Sequence, residues 1–156
     1  KASVTASDQD TGFEASNVID GVNRDIQDGK SHQWRARVEG GKEPWIQLKW
    51  NTPVSINQIE FTFDTGLHRY LRISGQAVVM KNQIRGRQPE TVSDFKIEGL
   101  LNGKVVYSDF VMNNYYRKYV HKFEVTKVDS VRITVTKTNG DAHARIFEIR
   151  CYNERT

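Results

Sequence analysis

A period-two alternation of apolar and polar side chains constrains this chain more than any other feature. Ile59, Phe61 and Phe63 fall on one side, and Gln58, Glu60, Thr62 and Asp64 on the other. Ile46, Leu48 and Trp50 repeat the pattern against Gln47 and Lys49. Successive side chains of an extended backbone leave on opposite faces, so both runs predict strands with one face on a core. Ala2 to Ser7 reads as a first, edge-type strand. Residues 94–101 and 104–111 are predicted to pair as a hairpin, because Asn102-Gly103 supplies the positive φ angles of a two-residue turn. Tyr119, His121, Phe123 and Val125 give another strand, Val131, Ile133 and Val135 the next, and Phe147, Ile149 and Cys151 the last. Nowhere does an apolar period of about 3.6 residues persist over three turns. The sum is an all-β fold of about eight short antiparallel strands, a β-sandwich or barrel.

The intervening segments are polar. Asn51-Thr52-Pro53, Asn113-Asn114 and Asn139-Gly140-Asp141 read as turns. From Val22 to Gly41 only Trp34 offers much to bury, which predicts a long functional loop. Thr65 to Thr91 reads as surface loops around a short strand at Gln76 to Met80. A chain of 156 residues is long enough for one domain with its own core, and 37% apolar against 27% charged is a globular balance. No run approaches the roughly 18 apolar residues of a membrane span. The polar start at Lys1 carries no signal peptide, which we read as a processing boundary or the edge of a module from a larger protein.

Composition also narrows the chemistry. The formal charge is +4 with a pI near 9.2, yet the basic residues are scattered, whereas a nucleic-acid binder concentrates them in a stripe. The one cysteine, Cys151, cannot form an internal disulfide, and with four scattered histidines it gives no zinc-ligand spacing. Its alternation with Phe147 and Ile149 predicts a buried, inert thiol. No Gly-x-Ser-x-Gly elbow, phosphate-cradling glycine loop, His-Glu-x-x-His pair or Cys-His constellation is present. The acid pairs Asp8/Asp10 and Asp25/Asp28 lie in loops and read as solvated, so no catalytic residues are assigned.

Ala15-Ser16-Asn17-Val18-Ile19-Asp20-Gly21, then Trp34, then Trp45-Ile46-Gln47-Leu48, then Ala144-Arg145-Ile146-Phe147-Glu148-Ile149 together resemble the discoidin domain. This is the coagulation factor V/VIII C-type, galactose-binding-like jelly roll, also found as carbohydrate-binding modules on bacterial polysaccharide enzymes. The resemblance spans nearly the whole chain as a single domain. It implies a two-sheet jelly roll whose loops at one end hold the ligand. It also implies a structural calcium between the Asp-Gly loop and a glutamate of the last strand, with Asp20 and Glu148 as carboxylates and Asn17 and Asn23 completing the shell. The chain departs from the pattern in its long loop from Gly21 to Trp34 and in Val22, which stands where a second acid often follows. Asp20 could equally cap its own turn, and Glu148 pair with Arg145 or Arg150. The missing N-terminal partner of Cys151 points to a bacterial member.

Sugar recognition needs an aromatic face and planar hydrogen-bonding groups. The loops supply His32, Trp34 and Arg37, then His68, Arg69, Tyr70 and Arg72, and finally His143. Of these, His32, Trp34, Arg69, Tyr70, Arg72 and His143 are the expected ligand-binding residues, with Trp34 alternatively a core plug beneath its loop. Tyr115-Tyr116 is a further exposed aromatic pair, and Arg145 reads as structural. The expected function is a non-catalytic glycan-binding module of a larger bacterial enzyme, monomeric and secreted, periplasmic or at the cell surface. The alternative is a domain that docks against its host, either a polysaccharide-degrading enzyme or a flavin-dependent oxidoreductase. A third reading, a basic surface for acidic polymers or membranes, predicts steep salt dependence.

Overall fold

The computed structural model describes residues 1–38, 40–69 and 75–154. The described residues form seven strands: β1 (Ser3–Ala6), β2 (Trp34–Arg37), β3 (Trp45–Phe63), β4 (Val92–Leu101), β5 (Lys104–Val111), β6 (Lys118–Thr138) and β7 (His143–Tyr152). A short 3-10 helix covers Ala15–Ile19, and a five-residue helix α1 covers Ala77–Lys81. All pairings are antiparallel, in the order β2-β7-β3-β6-β4-β5, with β1 also on β3.

The long strands β3 and β6 pair from Trp45↔Thr134 to Thr62↔Lys118. On its other side β3 takes β1 over its first residues and β7 over its last. Register shifts at Lys49/Val54 and Ile56/Gln58 bend this ribbon between the two layers. The layers meet through aromatic rings. Phe61 on β3 and Phe95 on β4 are not hydrogen-bonded neighbours, yet their rings pack edge-on with centroids 5.3 Å apart. Around them Trp34, Phe63, Ile46, Ile97, Ile133 and Val135 are fully buried. The result is an antiparallel β-sandwich.

The structure corrects four local expectations. Asn51-Thr52-Pro53 does not turn the chain; it continues β3 through a bulge, where a proline without an N–H is tolerated. The runs at 119–125 and 131–135 likewise join into one strand, β6, so seven strands replace eight. Gln76 to Met80 is not a strand. Ala77–Lys81 forms a helix with no buried residue. The polar stretch from Val22 to Gly41 contains β2, whose Trp34 and Ala36 are fully buried while Arg35 and Arg37 face outward. The hairpin is as expected, with Leu101 opposite Lys104 and φ of 51° at Asn102 and 77° at Gly103.

One irregularity in β7 shapes the rim. Thr62 pairs with Glu148 but Phe63 pairs with Ile146, so Phe147 is skipped by the ladder. Ile146 and Ile149 both join the main core cluster, whereas Phe147 packs outside it under the Arg117 guanidinium, 5.1 Å from the ring centroid. Cys151 packs against the core edge, and burial pushes its thiol pKa up to about 12. It is half-buried rather than fully buried, and the raised pKa disfavours its thiolate.

Candidate functional site

An open cleft of 630 Å³ lies between the 12–17 turn, the 25–33 loop, His68 and Arg145. β2 and β7 fix its walls. They pair Trp34 with Ile146 and Arg35 with Arg145, so the ends of the long loop and the start of the last strand come together. Trp34 anchors the loop from below, donating its Nε1–H to the Asp8 carbonyl at 3.0 Å. Phe13, which lines the cleft, carries the Arg35 guanidinium 3.6 Å from its ring centroid. Arg35 Nε donates in turn to Asp10 at 2.5 Å.

Two groups on this cleft are incompletely satisfied. Gln33 is 5% exposed and its Oε1 accepts no hydrogen bond. Arg145 donates from Nη2 to Asp141 at 3.0 Å and holds Nη1 3.8 Å from Asp64, but its buried Nε has no acceptor. Asp64 is itself 1% exposed. Buried polar atoms almost always find partners, so an idle acceptor and an idle donor on one cleft are unusual.

The expected ligand residues are dispersed. His32 is buried between two carboxylates, 2.6 Å from Asp20 Oδ2 and 2.8 Å from Asp28 Oδ2. Trp34 is wholly in the core. Neither lines the cleft, so both serve the loop's structure. Arg69 pairs with Glu90 and donates to Gln88 at 2.6 Å. His143 sits between Asp141 and Asp10, at 3.3 and 3.7 Å. Tyr70 and Arg72 lie outside the described residues. Tyr115 and Tyr116 are exposed and stacked, with centroids 4.3 Å apart, but do not line the cleft. Arg145, read from sequence as structural, contributes to the cleft and to an ion-pair network at once.

The four residues expected to hold calcium each make contacts within the chain. Asp20 accepts the Val22 N–H at 2.7 Å and faces His32. Glu148 pairs with Arg150 at 2.6 Å. The Asn23 carbonyl accepts from Arg117 at 2.6 Å, and the Asn17 carbonyl accepts from the Asp20 N–H. Calcium requires roughly six to eight oxygens around one point. Here three of the four candidates already face a histidine or an arginine. Among the described residues no group of three or more His, Cys, Asp or Glu is placed to hold a metal. Removing divalent ions with EDTA is therefore expected to leave the melting temperature unchanged. A rise of several degrees on adding calcium would contradict this.

His32 supplies the closure itself. Its hydrogen bond to Asp20, and then that to Asp28, hold its pKa above the ordinary imidazole value. A group with a raised folded pKa stabilises fully below its unfolded value, about 6.5, and loses that contribution as pH rises through the folded value. Thermal stability should fall as pH rises above about 6.5, and His32→Gln should flatten that fall. An equal pH dependence in the variant would exclude His32 as its source.

Comparison with known proteins adds the fold's relatives. A model described as Domain of unknown function (DUF7402) matches residues 1–66. No curated protein sequence matches the chain. Among solved structures, a fucose-binding module of Streptococcus pneumoniae, SpX-3, aligns with a TM-score of 0.73 at 12% identity, over 99% of this chain and 96% of that one. The lectin domain of Lectinolysin, complexed with Lewis B antigen, aligns at 0.69 and 13% over 99% and 94%. The family 32 carbohydrate-binding module of C. perfringens NanJ, in complex with galactose, aligns at 0.64 and 16% over 96% and 92%. The chain has the galactose-binding-like, discoidin-type fold. Among the described residues no helix is long and apolar enough to cross a membrane.

Proposed function

We propose that the chain is a non-catalytic glycan-binding module whose ligand sits in the cleft between the 12–17 turn, the 25–33 loop and Arg145. The observation that carries this reading is a cleft lined by both Gln33 and Arg145, each of which holds a buried polar atom without a partner, Oε1 and Nε. A sugar hydroxyl donates and accepts at once, so a sugar in the cleft can engage the polar side chains that line it. Phe13 offers an apolar face beside them. The neighbours of like fold described as binding fucose, Lewis B antigen or galactose support the same reading. It places the protein where glycans are met, secreted, periplasmic or at the cell surface, and makes it an accessory to a larger enzyme. There a weak single site is strengthened by tethering to the polymer.

A docking role has one observation in its favour. β5 is an edge strand and leaves Val105, Val106 and Phe110 about half exposed, with Met112 beyond its end. Calorimetry of the isolated domain against a glycan panel separates the two readings. Gln33→Met, which replaces an unsatisfied amide by an apolar side chain of similar length, should leave stability unchanged or raise it by about 1 kcal/mol. The same change should weaken glycan binding at least tenfold. Wild-type affinity in this variant would remove Gln33 from the site, and no binding of any glycan by a folded wild type would leave docking.

A further inference from the structure

A second, smaller recess of 190 Å³ adjoins the cleft, and Asp25 and His68 line both. Its other walls are Arg24, Arg117, Leu67 and Phe147. Arg117 is held rigidly here: Nη1 donates to the Phe63 carbonyl at 3.1 Å, Nη2 to the Asn23 carbonyl at 2.6 Å, and the guanidinium caps Phe147. Both of these acceptors are neutral carbonyls, so they fix the cation without neutralising it. Asp25 and Asp64 are the acids that act on it through space. The recess thus sets two arginines against one lining carboxylate, Asp25. Its volume is below the roughly 300 Å³ at which small-molecule sites begin, so it suits a substituent better than a second sugar ring.

We propose that this recess receives the anionic substituent, a carboxylate or a sulfate ester, of a sugar whose ring occupies the adjoining cleft, so that the ligand is an acidic glycan. The inference rests on the glycan-binding reading and names the ligand class of that same site. Arginine suits the task because its planar fork meets two oxygens of a carboxylate or sulfate at once. Arg117 is pre-organised by its backbone acceptors, so little ordering entropy is lost on binding. Arg24, exposed on the loop, closes over the anion from outside. The chain's formal charge of +4 draws acidic polymers toward the rim without selecting among them.

Calorimetric titration of the folded domain with length-matched neutral, uronate-bearing and sulfated oligosaccharides tests this. An acidic ligand should bind at least tenfold more tightly than its neutral counterpart, and comparison of uronate with sulfate identifies the group. Arg24→Gln should remove most of that preference while leaving neutral binding and the melting temperature unchanged; Arg117→Gln should remove it too, at a lower melting temperature, because the Phe63 and Asn23 carbonyls lose their donor. A remote control, Lys127→Gln on β6, should change nothing. Equal binding of neutral and acidic ligands, or equal losses from Arg24→Gln and Lys127→Gln, would overturn the inference while leaving glycan binding intact. Inorganic sulfate binding as tightly as the acidic sugar would reduce the recess to a simple anion site and overturn it too. Binding of no glycan at all would overturn both readings.

Discussion

Trp34→Ala should lower folding stability by about 4 kcal/mol, the range seen when a fully buried tryptophan is truncated. The ring is 0% exposed and its indole N–H is satisfied by the Asp8 carbonyl, so the variant leaves both a cavity and an idle buried acceptor. β2 is only four residues long, and Trp34 is its one large buried side chain beside Ala36. The urea midpoint should drop accordingly, and glycan binding should go with it as the 22–33 loop loses its anchor. A loss below about 1 kcal/mol would mean that the loop is held by something else.

Arg145→Met should cost about 3 kcal/mol and abolish measurable glycan binding. Arg145 bridges Asp141 and Asp64, and Asp64 is 1% exposed, so deleting the cation leaves a buried carboxylate that keeps the Gly66 N–H at 2.8 Å but loses its ion pair. Asp64→Asn in the same background should recover part of the stability, because the buried charge is gone, but none of the binding. Restored binding in the double variant would show that Arg145 acts only as scaffold. Unchanged stability in the single variant would show that the bridge is solvated.

What could be read from the sequence follows from which interactions are local. The alternation of Ile59, Phe61 and Phe63 was legible because one face of β3 is buried over these residues, and period two has no other cheap explanation. The hairpin was legible because Asn102-Gly103 fixes its own turn. Trp34-Arg35-Ala36-Arg37 does alternate, but four residues inside a polar stretch carry too little signal to separate a strand from a loop. Ala77-Val78-Val79-Met80 looks like a strand by propensity and is a helix, because β propensity reflects packing on a sheet and none of these residues is buried. Pro53 looked like a turn because a bulge and a turn use the same residues.

The site was less legible for a different reason. The cleft draws Phe13, Gln33, His68 and Arg145 from four segments, and its defining feature, two polar atoms without partners, is a property of the packed state. Gln33 has no local signature at all. His32 attracted attention as a sugar ligand because it is an isolated loop histidine, yet Asp20 and Asp28 lie twelve and four residues before it and absorb it. The same two contacts explain why the Asp-Gly loop, which resembles a calcium loop, is closed by the chain itself.

The most direct test of the account is an amide-shift titration of the isotopically labelled domain with a glycan that it binds. Perturbations should gather at Phe13, Lys30, Gln33, His68 and Arg145, with the strands beyond them unmoved. A shift pattern centred on β5 around Phe110, or spread over the sheet faces with the cleft silent, would contradict it.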